Sequence, residues 1–287
     1  MGRPFFIALT AFENSLACLY DNAMKTGSAL TLDFTIAGVQ KAGTTALAQY
    51  LGQNAGLYLP PTKETHYFRR APTVGPPADR PFTHLSRHFV DAPPGALLGD
   101  ATPVYLYWPN ALALLHDHNP ALRIVVSLRH PVTRAYSAWS MQVRRGKEPL
   151  SFGEAIRSGR DRVSQSPLGV NLFYAYVERG FYYQQMTRLY SLFSKDQVFV
   201  LRSDDIASEN PVLQDLQRFL GVTPCALTPL TANVQPGSLP ARADLASDFA
   251  YLQSVFEEDI RQTAHLTGLD LSDWLSGPPS LAETAYS

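Results

Sequence analysis

The sequence predicts an α/β fold: a P-loop-like, three-layer architecture with a central, mostly parallel sheet flanked by helices. Three observations predict it. Strand-like and helix-like patterns alternate along the chain, the order that covers a parallel sheet on both faces. In LTLDFTIAGVQKAGTTALAQYLGQN, residues 30–54, a β-branched apolar run, a tight glycine turn and a helical pattern follow one another. The run LRIVVSLRHP, residues 122–131, is the clearest buried strand, and its Pro131 suits the first position of a helix.

Residues 1–30 have no clear partner pattern and read as a lead-in; residues 31–287 read as one domain. The first strand stops at Gly38, and the helix after it presents Ala46, Leu47, Tyr50 and Leu51 on one face with Thr44 as its cap. KETHYF, residues 63–68, follows a Pro-Pro pair and reads as a short helix or turn beginning near Lys63. APTVGPPADRP, residues 71–81, is a Pro-rich exposed loop. A short strand ends near Asp100, and a helix from 132 to 146 closes on a glycine. A long helical pattern at 171–193 precedes a strand at 197–206. An amphipathic helix at 210–222 and a last helix at about 241–267 end at Gly221 and Gly268.

The 287 residues, 45% hydrophobic and 17% charged, have an ordinary globular composition and can bury a core without staples. A formal net charge of −1 argues against a general nucleic-acid or membrane-surface binder, so any anion site must be built locally. Cys18 and Cys225 lie outside any metal-ligand spacing and read as unpaired buried thiols; no metal is expected. No run approaches the ~18 apolar residues of a membrane span. Glu13 and Asn14 interrupt the apolar start, a poor match to a signal peptide, so a cytoplasmic location is expected.

GVQKAGTTAL, residues 38–47, keeps the glycine and threonine spacing of a phosphate-binding loop, but Thr44 stands where that loop has its lysine. Lys41, three places earlier, carries the charge instead. Such a strand-to-helix loop aims backbone N–H groups and a helix dipole at an anion. A nucleotide triphosphate site also needs a strand-end carboxylate for Mg²⁺, whereas the strand RIVVSLR ends in Arg129. A cation there attracts a second anionic group, and Ser137, two helical turns on, can converge on the same phosphate. Taken alone, Arg129 reads more often as a surface residue and Ser137 as a helix serine bonded to its own backbone.

Together, QKAGTTAL, KETHYF and LRHPVTRAYSAW resemble the 5′-phosphosulfate loop, the catalytic segment and the 3′-phosphate segment of sulfotransferases that use 3′-phosphoadenosine-5′-phosphosulfate (PAPS). The similarity is to the heparan-sulfate glucosaminyl branch and its soluble bacterial relatives. It covers about residues 32–275 and includes VERGFYYQQMTRLYSLF before VFVLRSDDI, and LTGLDLSDWL near the end. The resemblance implies a metal-free sulfuryl transfer with PAPS as co-substrate. It implies that Lys41 stabilises the leaving phosphate and that Ala42, Gly43, Thr44 and Thr45 cradle it. Arg129 and Ser137 would hold the 3′-phosphate. Glu64 matches the base, with His66 as the fallback, and Lys63 would touch the substrate. The acceptor would be a small molecule, lipid or glycan.

Two departures stand out. Ala101 of DATP replaces a lysine common in that branch, and NVQPGSLPARAD offers only Gly237 and Arg242 where the branch has a glycine-rich basic loop. Tyr105, with Tyr107, Trp108 and Phe173, is a candidate aromatic platform for an acceptor, though core packing accounts for it as well. The rival readings are a P-loop kinase for a small metabolite and a non-catalytic nucleotide-binding domain.

Overall fold

The structure, a computed structural model, describes residues 30–70, 82–207, 209–230 and 245–277. The lead-in at 1–29, the Pro-rich loop at 71–81, Cys18, and the stretch with Gly237 and Arg242 lie outside the described residues.

Apolar, β-branched sequence makes the sheet. Strand β1 (Phe34–Gly38) is buried at all five positions, as a central strand covered on both faces requires. β4 (Arg123–Leu128) is buried from Ile124 onward. With β2 (Leu57–Tyr58), β3 (Leu97–Asp100) and β5 (Val198–Arg202), the strands pair in the order β2-β3-β1-β4-β5, every pairing parallel. β1 therefore lies between β3 and β4, and the connections after it diverge to opposite sides. In an open parallel sheet that switch point leaves a crevice beyond the C-terminal ends of the strands. The glycine loop after β1 sits there, with Asp100 on one flank and Arg129 on the other.

Two apolar layers cover the sheet. On one face, α1 (Thr44–Leu51) and α8 (Pro211–Phe219) pack Leu47, Tyr50, Leu213 and Leu216 against Phe34, Ile36, Val125 and Leu201. On the other, α3 (Ala111–His118), α4 (Pro131–Arg144), α7 (Tyr182–Tyr190) and α9 (Leu245–Thr267) cover Ala37, Ile124, Val126 and Leu128. The short helices α2 (Tyr67–Arg70), α5 (Phe152–Ala155) and α6 (Asp161–Ser164) complete the described layers. Pro131 opens α4 as expected, capped by the His130 side chain, which accepts from the Val132 amide. Gly268 ends α9. Among the described residues no helix is long and apolar enough to cross a membrane.

Four local expectations differ from the structure. Gly43, not Thr44, occupies the cap position of α1, with φ 70° and no capping side chain; Thr44 is the first helical residue and is buried. KETH is not helical: α2 begins only at Tyr67, and Lys63 and His66 take φ of 47° and 54°. The pattern at 171–193 is regular α-helix only from Tyr182 to Tyr190. Upstream, the Asn171 side chain accepts from the Phe173 and Tyr174 amides at 2.8 and 3.0 Å, a local turn that competes with helix. Cys225 is free but half-buried rather than buried.

Candidate active site

The switch-point crevice opens into a cavity of about 860 Å³, within the range of small-molecule sites. Its wall carries Lys41, Lys63, Arg69, Arg145 and Arg179 against the carboxylates of Glu64 and Glu209. The chain is near neutral, so this local excess of cations marks an anion site.

The glycine loop forms one side. Lys41 and Gly43 both have left-handed backbone, φ 73° and 70°, a conformation that costs a lysine and costs glycine nothing. A Cβ on Gly43 would also meet Ile206 Cδ1 at 2.9 Å. Lys41, Gly43, Thr44 and Thr45 all line the cavity. Ala42 does not: it is fully buried, its amide donates to the Val39 carbonyl, and its own carbonyl accepts from Ser127 Oγ at 2.7 Å. Burial is the main force on the Lys41 ammonium; with the charges of Arg129, Arg144, Arg145 and Lys63, it lowers the pKa to about 8. A lysine held this way gains from an anion beside it.

Arg129 and Ser137 do not line the cavity wall. Both are buried. The Arg129 guanidinium donates from Nε to Thr133 Oγ1 at 3.1 Å and from Nη1 to the Lys41 carbonyl at 3.1 Å. It thus buttresses the residue that carries the loop's charge. From α4, the residues on the wall are Met141 and Gln142, with Arg145 just beyond its end.

The KETH segment forms the facing side. Lys63 Nζ donates to Thr45 Oγ1 at 2.7 Å and to Glu64 Oε1 at 3.3 Å. His66 Nε2 lies 3.4 Å from the other Glu64 oxygen. Thr65, between them, is the anchor: its hydroxyl donates to Asp100 Oδ2 at 2.9 Å, and Thr102 and Tyr105 donate to the same carboxylate at 2.9 and 2.7 Å. Asp100 is fully buried, and burial pushes its pKa up while the three hydroxyls oppose the shift. This carboxylate ends the strand next to the loop, where a kinase would hold Mg²⁺; here three hydroxyls occupy it.

Tyr105 is therefore not an acceptor platform. It is fully buried and spends its hydroxyl on Asp100. Tyr107 is buried as well, and of the four aromatic candidates only Phe173 reaches the cavity wall. Removing the Tyr105 hydroxyl in Tyr105→Phe should cost about 1–3 kcal/mol of stability by leaving Asp100 under-bonded. Donor KM should stay unchanged, and urea unfolding with steady-state kinetics checks both.

The motif reading missed Gln40, Arg69, Arg145 and Arg179. Arg179 is the most consequential, buried yet on the cavity wall. Its one signal was the charged pair Glu178-Arg179 just before the aromatic run GFYY.

Fold and site define an α/β protein with a cation-lined cavity at a modified phosphate loop and a carboxylate beside it. The chain belongs to the sulfotransferase family: the sequence profile of the sulfotransferase domain matches residues 32–235. It is similar to the crystal structure of a sulfotransferase from Alicyclobacillus acidocaldarius, at 30% identity and a TM-score of 0.71 over 86% of this chain and 99% of that one. The sulfotransferase domain of the Synechococcus PCC 7002 olefin synthase shares the fold, at 15% identity and a TM-score of 0.52 over 85% and 96% of the two chains. Sulfuryl transfer is thus the class of reaction.

Proposed function

We propose that the protein transfers a sulfuryl group from PAPS to a hydroxyl, or an amine, of a carbohydrate, lipid or small-molecule acceptor. The observation that carries this reading is the Lys63 bridge, 2.7 Å from the loop hydroxyl of Thr45 and 3.3 Å from Glu64. One ammonium spans the anion cradle and the candidate base. The residues present fit a phosphosulfate: a left-handed glycine that a side chain would crowd, and a half-desolvated lysine short of negative charge. PAPS, when bound, supplies the activated sulfuryl group.

The protein's own groups then have separate tasks. The Gly43 loop and the hydroxyls of Thr44 and Thr45 hold the 5′-phosphate end, and Lys41 neutralises charge on the phosphate oxygen as its bond to sulfur breaks. Glu64 takes the acceptor proton as the new bond to sulfur forms. Lys63 and His66 each face one Glu64 oxygen and fix its orientation. Arg129 and Ser137 are assigned to the 3′-phosphate by their match to the family pattern, with Arg129 also supporting Lys41 from behind. A carboxylate base is the feature shared with the glucosaminyl branch.

Calorimetry tests the donor. Adenosine 3′,5′-bisphosphate (PAP) should bind far more tightly than AMP, since each charge-assisted phosphate contact contributes about 1.5–3 kcal/mol. Arg129→Ala should remove most of that difference, and EDTA should not weaken binding. Equal affinity for PAP and AMP, or a strict Mg²⁺ requirement, would end the PAPS reading.

A further inference from the structure

Arg179 has surroundings unusual for a charged side chain. It is 4% exposed, yet it lines the cavity. Among the described residues no carboxylate forms an ion pair with it. Its partners are neutral oxygens and a ring. Nη1 donates to Gln40 Oε1 at 2.5 Å. Nη2 donates to the carbonyls of Asn171 and Leu172 at 3.3 and 3.1 Å. The guanidinium lies over the Tyr107 ring, 4.9 Å from its centroid, and Nε is buried without a hydrogen-bond partner. Burial first, and the charge of Arg134 second, lower its pKa to about 10. The group is still a cation at neutral pH; the Glu64 carboxylate opposes the shift from a distance, without an ion pair.

The hydrogen-bond partners come from two separate segments that reach the cavity. Gln40 immediately precedes Lys41 in the anion loop, and both line the wall. Asn171 and Leu172 belong to the turn that presents Leu172 and Phe173 to the cavity. A planar guanidinium can hold partners in two directions at fixed angles, which an ammonium cannot. One side chain therefore ties the loop to the wall where an acceptor would lie. An anion bound at the loop would offset the buried charge and strengthen the hydrogen bonds that share it.

We propose that Arg179 is a positioning residue that couples donor binding to the acceptor wall: an anion held by the loop fixes the guanidinium, and through Gln40 and the 171–172 carbonyls it sets Leu172 and Phe173 in place. This rests on the PAPS reading for the identity of the anion. Coupling of this kind is reciprocal, so an occupied acceptor wall also favours the donor.

The test uses the full chain, PAP as the probe, and amide hydrogen exchange read by mass spectrometry. In the unmodified protein PAP should slow exchange both in the loop peptide at 38–45 and in the peptide spanning 170–176. In Arg179→Met PAP should still bind and still protect the loop, while the protection at 170–176 disappears. Gln40→Ala should do the same, and Arg179→Lys should restore the coupling only in part. Without ligand, Arg179→Met should speed exchange in both peptides together, and circular dichroism should show a folded protein. In turnover the acceptor KM should rise more than the donor KM. If PAP protects 170–176 equally in Arg179→Met, or never protects it in the unmodified protein while binding the loop, the coupling role is wrong. If PAP fails to bind the unmodified protein, the PAPS reading fails, and the ligand-free comparison still decides whether Arg179 ties the two segments.

Discussion

Glu64→Gln is expected to lower kcat by about 10²- to 10⁴-fold, the usual contribution of a positioned general base. The amide keeps the shape and one acceptor oxygen, to which Lys63 can still donate, but it cannot take a proton. PAP affinity should be unchanged, because Glu64 is not among the groups assigned to the phosphates. An acceptor with a more acidic hydroxyl, such as a phenol, needs the base less, so it should recover part of the loss. Stopped assays with one alcohol and one phenol acceptor measure the ratio. Should Glu64→Gln keep most of its activity while His66→Ala loses it, the base is His66. The two residues are 3.4 Å apart, so the exchange of roles requires no change of fold.

Lys41→Ala is expected to be comparably slow, by about 10²- to 10³-fold, the scale on which removal of one charge-stabilising donor acts. The phenol should not rescue it, because the loss is on the leaving-group side. That contrast separates the two residues in a single table of rates. Lys41 also predicts a pH dependence. Its pKa in the free protein is about 8 against an ordinary 10.5, so the donor kcat/KM should fall as pH rises through about 8. Lys41→Arg, whose guanidinium stays protonated, should flatten that alkaline limb. Stability moves the other way. Between those two pKa values the unfolded chain binds more protons than the folded one, so stability rises with pH there, and the penalty is fully present below about 8. Lys41→Met should therefore be more stable than the unmodified protein at neutral pH without ligand, and less active, as expected where a site stores unfavourable charge. Thermal melts at pH 7 and pH 10 check the sign. A Lys41→Met variant less stable than the unmodified protein at pH 7 would overturn the reading of Lys41 as an uncompensated charge.

Much of this protein could be read from local sequence, because the signals involved are local. A buried parallel strand needs a continuous apolar run, so FTIAG and RIVVSL identify β1 and β4 without further context. Spacing within the loop fixed Lys41, Gly43, Thr44 and Thr45 as neighbours on one cavity, since residues so close along a tight turn have little freedom to part. Three other points were decided only by the tertiary structure. Tyr105 reads as an exposed ring or a core ring equally well until Asp100 and Thr65 are brought to it from other segments. KETH favours a helical turn by composition, but the pull of Asp100 on Thr65 and the bridge from Lys63 to Thr45 accompany an irregular, left-handed backbone instead. Arg179 lies in a stretch that the resemblance includes, but no motif singles it out, because its role depends on Gln40, 139 residues away in the chain, and on Tyr107, several elements upstream. Short-range patterns record hydrophobic period and turn geometry; the partners of a buried charge are set by packing between distant segments, and a single sequence carries no local trace of them.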